Sequence, residues 1–238
     1  MVSAPAPAAG KDRLILALDV PTASEALAWS RRLAAEVGMV KVGLELFVAA
    51  GPSLVRQLAG EGRGVFLDLK LHDIPNTVAG AVRSATGLGA RMLTLHAAGG
   101  PAMLAAAAAA AAATEQPPLL LGVTVLTSLD DSALAALGIG GPVPERVVAW
   151  ARLCREAGLD GIVCAAAEAA AVRAACGPGF VIVTPGIRAA GAAKDDQARI
   201  ATAAAARRAG ADFLVVGRAI TAAADPEARA RQLAAEAQ

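Results

Sequence analysis

The sequence predicts a single (β/α)8 barrel of the α/β class. Short apolar runs recur along the chain, each followed by a helix-like stretch, at Leu14–Leu18, Met39–Val42, Val65–Leu69, Met92–Leu95, Leu119–Val125, Gly161–Val163, Val181–Val183 and Phe213–Val216. These runs are nearly continuous in apolar residues, as strands buried on both faces of a parallel sheet must be. About eight such units fit a chain of 238 residues. A doubly wound open sheet is the alternative, but no G-x-G-x-x-G follows the first run. No Ser/Gly tract, charge block or composition shift marks a linker, so residues 13–238 read as one barrel domain behind a frayed tail of residues 1–12.

The connecting segments carry ordinary helix punctuation. After the first strand, Thr22 and Glu25 form a T-x-x-E capping box. After the fourth, Ala97 to Ala113 is apolar and close to the length of a membrane span. It is mostly alanine and glycine with Pro101 near its start, so it reads as a soluble helix with Pro101 in its first turn and Ala105–Ala113 helical by propensity. After the fifth, Pro144 opens a helix through Val147, Val148, Ala151 and Cys154 that stops at Gly158. Trp29 and Trp150 fall on helical stretches and are expected to be buried against the barrel.

Composition narrows the function classes. The hydrophobic fraction of 56% suffices for a core, although much of it is alanine. A formal net charge of +1, no basic cluster and 3% aromatic residues argue against a nucleic-acid partner. Cys154, Cys164 and Cys176 are odd in number and lack C-x-x-C spacing, which fits neither a disulfide framework nor a zinc site and implies a reducing, cytoplasmic compartment. The first residues show no basic stretch followed by a long apolar core, so no signal peptide is expected, and no membrane partner. His72 and His96 lie far apart in sequence, without carboxylates at ligand spacing, and read as packing or supporting residues with no metal.

In this architecture the chemistry lies at the carboxyl ends of the strands. Those ends carry Asp19, Lys41, Asp68 with Lys70, His96, Thr127, T-P-G-I-R at Thr184–Arg188, and V-V-G-R at Val215–Arg218. The most informative segment is V-F-L-D-L-K-L-H-D-I-P-N-T at Val65–Thr77. Strand alternation puts Asp68 and Lys70 on one face, and Asp73 follows three residues later. Two carboxylates around an ammonium are costly to desolvate unless a site uses them. At the last strand, Gly217 lets backbone approach an anion, a helix N-terminus would offer free N–H groups, and the Arg218 guanidinium suits phosphate oxygens. Arg188, on the adjoining loop, could close the same pocket, so the expected ligand is a phosphorylated small molecule.

These segments, with A-L-D-V at Ala17–Val20, V-K-V-G at Val40–Gly43, H-A-A-G-G at His96–Gly100 and G-V-T-V-L-T-S at Gly122–Ser128, resemble the bacterial orotidine 5'-phosphate decarboxylase family from Leu14 to about Thr221. The D-x-K-x-x-D-I-P-x-T element is the most specific part. The resemblance implies conversion of orotidine 5'-monophosphate to UMP in de novo pyrimidine biosynthesis, by a homodimeric barrel without metal or organic cofactor. It implies Lys70 as proton donor, Asp68 as its neighbour against the substrate carboxylate, and Asp73, Ile74 and Thr77 as residues reaching into the partner subunit's site. Asp19 and Lys41 would hold ribose hydroxyls, and Thr127 or Ser128 the pyrimidine edge. Gln197, Gly217, Arg218 and Arg188 would hold the phosphate. The segment around Gln197 reads A-K-D-D-Q-A-R-I-A-T; it keeps the D-D-Q core but lacks the family's usual proline after the threonine.

Two other readings compete. A magnesium-dependent sugar-phosphate decarboxylase also carries D-x-K-x-x-D, but such relatives place a carboxylate where this chain has Lys41. A non-catalytic nucleotide sensor on the same barrel would be expected to lack Lys70 or Asp68, and both are present. The glycine-bearing loops Leu129–Pro142 and Arg188–Asp195 are placed to act as lids.

Overall fold

The computed structural model describes residues 10–188 and 201–238. Eight parallel strands close into a barrel in sequence order: β1 (Leu14–Ala17), β2 (Met39–Gly43), β3 (Gly64–Leu71), β4 (Met92–His96), β5 (Leu119–Val123), β6 (Gly161–Val163), β7 (Val181–Thr184) and β8 (Phe213–Val216), with β8 paired to β1. Every expected strand is present. The fifth stops at Val123 instead of Val125, where both the N–H and the hydroxyl of Thr124 turn to the Val163 carbonyl.

Helices separate the strands: α1 (Ala23–Arg32), α2 (Leu44–Gly60), α3 (Pro75–Thr86), α4 (Gly100–Ala112), α5 (Asp131–Ala136), α6 (Val143–Glu156), α7 (Ala166–Cys176), α8 (Ala203–Arg208), α9 (Arg218–Thr221) and α10 (Pro226–Glu236). The expected caps are present, the Thr22–Glu25 box through its threonine half. The Thr22 hydroxyl accepts from the Glu25 N–H at the start of α1, Pro101 and Pro144 sit in the first turns of α4 and α6, and Gly158 has φ 89° just after α6. The loop Leu129–Pro142 is partly helical, since Asp130 caps α5 by accepting from the Ala133 N–H. Gly10–Arg13 forms a 3-10 turn packed on α10; the rest of the expected tail, residues 1–9, lies outside the described residues.

The apolar side chains divide into two layers. Ile15, Ala17, Met39, Phe66, Met92, Leu121, Val181, Val183, Phe213 and Val215 fill the barrel interior. A larger layer lies between the sheet and the helices, built from alternate strand residues such as Leu14, Leu16, Val40, Val65 and Leu67 with Leu54, Leu58, Val82, Leu104 and Val147 from the helices. The abundant alanines let helices approach closely. Gly122 in β5 lets α6 come close: a Cβ there would lie 2.3 Å from Cys154 Sγ. All three cysteines are buried and free, and burial pushes the Cys154 thiol up to about 12. The tryptophans are half-buried instead of enclosed; the Arg32 guanidinium lies over Trp29 at 5.2 Å and that of Arg146 near Trp150 at 6.0 Å.

At the amino end of the barrel, acids just before strands tie neighbouring strands together. The Asp160 carboxylate accepts from the Leu120 N–H, and that of Asp212 accepts from the Ile182 N–H. Arg173 reaches Asp212 at 2.7 Å and also donates to the carbonyls of Gly177, Phe180 and Gly210. Removing Asp212 leaves that guanidinium without its opposite charge and a strand N–H without its acceptor, so Asp212→Ala should lower unfolding stability by about 2–3 kcal/mol. Urea denaturation checks this, and catalysis at the other end should be untouched.

Candidate active site

β3 does not finish as a regular strand. Its pairing with β4 runs Phe66 to Met92 and Leu67 to Leu93, and resumes only at Leu71 opposite Leu95. Three residues of β3 therefore face one of β4. Lys70 sits inside this bulge at φ 50°, the one non-glycine residue with positive φ among those described. A left-handed conformation costs an L-residue roughly 1–2 kcal/mol, and such strain collects at functional sites. The expected Asp68–Lys70 contact exists, but a bulge makes it, where simple alternation was expected to.

Four charged side chains alternate in sign across the carboxyl ends of β1, β2 and β3. Lys70 Nζ lies 2.8 Å from Asp68 Oδ2, Lys41 Nζ 3.8 Å from the same oxygen, and Lys41 Nζ 3.1 Å from Asp19 Oδ1. The Asp68 and Lys41 side chains are each only 12% exposed, and each faces groups of opposite sign, which offsets the cost of burying them. Gly43 keeps room for this array, since a Cβ there would sit 2.9 Å from Lys41 Nζ. Asp68 Oδ1 accepts from the hydroxyl of Thr94, and that oxygen accepts the backbone N–H of Lys70, both at 2.9 Å.

The array forms one wall of a cavity of about 260 Å³. Asp19, Lys41, Asp68, Lys70, Thr127, Arg188, Gly217 and Arg218 all line it, so most of the expected site residues converge. Phe66, Val123, Val163 and Val215 supply apolar lining that sequence reasoning did not assign, giving the shape of a ligand site: apolar walls with a few convergent polar groups. Of the two candidates after β5, Thr127 lines the cavity and Ser128 is not among the lining residues. Arg188 is buried, and Arg218 is exposed at the mouth. α9 is a single turn, so the anion-attracting feature there is the guanidinium beside Gly217 more than any aligned helix dipole. Gln197 and most of the expected lid Arg188–Asp195 lie outside the described residues.

Asp73, Ile74 and Thr77 are placed differently. The whole stretch from His72 to Thr77 is exposed, Ile74 at 67%, and Asp73 accepts from the Ile74 N–H and forms no ion pair among the described residues. Within one chain this segment does not reach the cavity. His72 and His96, distant in sequence, meet with ring centroids 5.4 Å apart. Among the described residues no group of three or more His, Cys, Asp or Glu could hold a metal ion, and no helix is long and apolar enough to cross a membrane.

The description "Orotidine 5'-phosphate decarboxylase / HUMPS family" belongs to the family model that matches residues 12–233. The chain is a member of that family. It is 58% identical over 224 residues to a protein named orotidine 5'-phosphate decarboxylase from Anaeromyxobacter sp. (strain K), covering 94% of this chain and 97% of that one. A crystal structure of orotidine 5'-phosphate decarboxylase from Lactobacillus acidophilus superposes with a TM-score of 0.81 at 34% identity, covering 95% of this chain and 99% of that one. An uncharacterized conserved protein from Geobacillus kaustophilus gives 0.83 at 40% identity, with 94% and 100% covered. The D-x-K-x-x-D-I-P-x-T element of this sequence spans the bulged end of β3 and the start of α3.

His96 reports on the charges beside it. Burial, then the neighbouring His72 and Lys70, push its pKa below the ordinary 6.5, with Asp68 opposing. Proton uptake therefore favours the unfolded chain: the stability present above the unfolded value is lost as pH falls toward the folded midpoint. NMR titration should place the His96 midpoint below 6.5, and His72→Ala should raise it.

Proposed function

We propose that this protein decarboxylates orotidine 5'-monophosphate to UMP in de novo pyrimidine biosynthesis, using its own charged groups without metal or organic cofactor. One observation carries the reading. A single cavity holds the Lys70 ammonium against Asp68, within an array of alternating charges, on one side and an arginine-glycine pair suited to phosphate on the other. The names of the most similar relatives point to the substrate, and the geometry is consistent with roles for the residues that line the cavity.

Breaking the bond between C6 and the carboxylate releases carbon dioxide and leaves an electron pair in the plane of the pyrimidine ring, where the π system cannot absorb it. Stabilisation then falls to fixed charge, and a preorganised ammonium facing C6 provides it. Lys70 carries that ammonium and transfers a proton to the same carbon, ending as a neutral amine. Asp68 holds Lys70 in place and lies against the departing carboxylate. Asp19 and Lys41 bind ribose hydroxyls, and Thr127 addresses the pyrimidine edge. Gly217, Arg218, Arg188 and Gln197 hold the phosphate, whose binding energy closes the site over the reacting carbon.

Lys41 weighs against the magnesium reading, because the acid oxygens that would coordinate a divalent cation already face ammonium groups. The enzyme acts as a homodimer in the cytoplasm, with Asp73, Ile74 and Thr77 completing the partner's cavity. The exposed run His72–Thr77, with Leu44 and Val48 also exposed just beyond β2, supports that assembly.

Lys70→Ala should abolish loss of orotidine 5'-monophosphate absorbance while leaving UMP binding measurable; near-normal turnover would remove Lys70 as the proton donor. Arg218→Ala should raise KM strongly and cost roughly 2–3 kcal/mol in kcat/KM. An unchanged kcat/KM would place the phosphate elsewhere.

A further inference from the structure

We propose that Thr94 is a positioning residue for the reaction, whose single hydroxyl fixes both the backbone of Lys70 and the carboxylate of Asp68. The inference rests on the roles given above to Lys70 and Asp68, and deepens them. Thr94 lies in the middle of β4, fully buried between Leu93 and Leu95. It is the residue of β4 that faces the bulge, because pairing lapses between Leu67 opposite Leu93 and Leu71 opposite Leu95.

A ladder interrupted in this way displaces the Lys70 N–H from regular strand pairing. That N–H donates to Thr94 Oγ1 at 2.9 Å, and Thr94 Oγ1 lies 2.9 Å from Asp68 Oδ1. The direction of these bonds follows from what each group can do. The amide N–H can only donate and the carboxylate only accepts, so the one hydroxyl proton must point at Asp68. With Oδ1 engaged, Oδ2 is turned toward Lys70 Nζ at 2.8 Å and Lys41 Nζ at 3.8 Å. The same hydroxyl steadies the left-handed backbone at Lys70, which sets where the side chain leaves the strand. Thr94 is not itself among the residues lining the cavity, so it acts through its two partners.

Valine has threonine's shape without the hydroxyl and separates the two functions of the site. Thr94→Val should lower kcat about 100-fold, the scale expected for a small misplacement of reacting groups. KM for orotidine 5'-monophosphate should stay within about threefold, because the phosphate contacts lie across the cavity. Thr94→Ser keeps donor and acceptor and should restore kcat to within about threefold of wild type. A residue that only filled space would show the reverse order, with valine tolerated better than serine. Should valine fail to fold, Thr94→Ala, which removes the same hydroxyl without adding bulk, takes its place.

A crystal structure of the valine or alanine variant reads positioning independently of turnover: Lys70 should leave the left-handed region or Asp68 should rotate away from it. Unchanged kcat in the hydroxyl-less variant, or an undisturbed Lys70 and Asp68 in its structure, would overturn the inference. Full activity of Lys70→Ala would instead overturn the catalytic roles on which it rests, so the two failures can be told apart.

Discussion

The structure turns on the contact between Asp68 and Lys70 at the bulged end of β3. Neither charge could be held in so enclosed a place alone, and together they require further partners: Lys41 toward the second carboxylate oxygen, Asp19 beyond it, and Thr94 behind the first. The surrounding sequence is arranged around that requirement. Three β3 residues are spent against one of β4, Lys70 accepts a positive φ, and Gly43 gives up a side chain so that the Lys41 ammonium has room. Such local exceptions to good strand design are tolerated because the remaining strands are regular and mostly buried.

The barrel also separates the demands on its two ends. At the amino end, Asp160, Asp212 and Arg173 bind strands and loops together with contacts that serve stability alone. At the carboxyl end, charges converge on a cavity whose walls are otherwise apolar. In a site of low polarity each fixed charge acts more strongly than it would in water, and needs no reorganisation at the moment a bond breaks. In the proposed reaction, the guanidinium at the mouth would let binding of a remote group be used to shape the reacting end.

Much of this was legible in the sequence because burial on both faces leaves a strong mark. Runs such as Leu14–Leu18 and Phe213–Val216 have no competing interpretation once their spacing is seen, and polar residues at their ends point to the mouth of a barrel. What local pattern could not give was contact across strands. Alternation put Asp68 beside Lys70 for an incomplete reason, since the register shift against β4 is a property of two strands and not of either one. Thr94 carried a signal that went unused: a hydroxyl in the middle of M-L-T-L-H, where every neighbour but the last is apolar. His72 and His96 looked unrelated because they are 24 positions apart, yet adjacent strand ends bring their rings together. Asp73 looked like part of the Lys70 cluster because it is near in sequence, but it lies in the exposed connection between β3 and the start of α3 at Pro75.

The most direct measurement is a crystal structure of the protein with UMP bound. The account requires the Lys70 ammonium to face C6 of the pyrimidine, with Asp68 and Lys41 beside it and the phosphate against Gly217 and Arg218. A nucleotide bound with Lys70 turned outward to solvent, or with its phosphate away from Arg218, would contradict it.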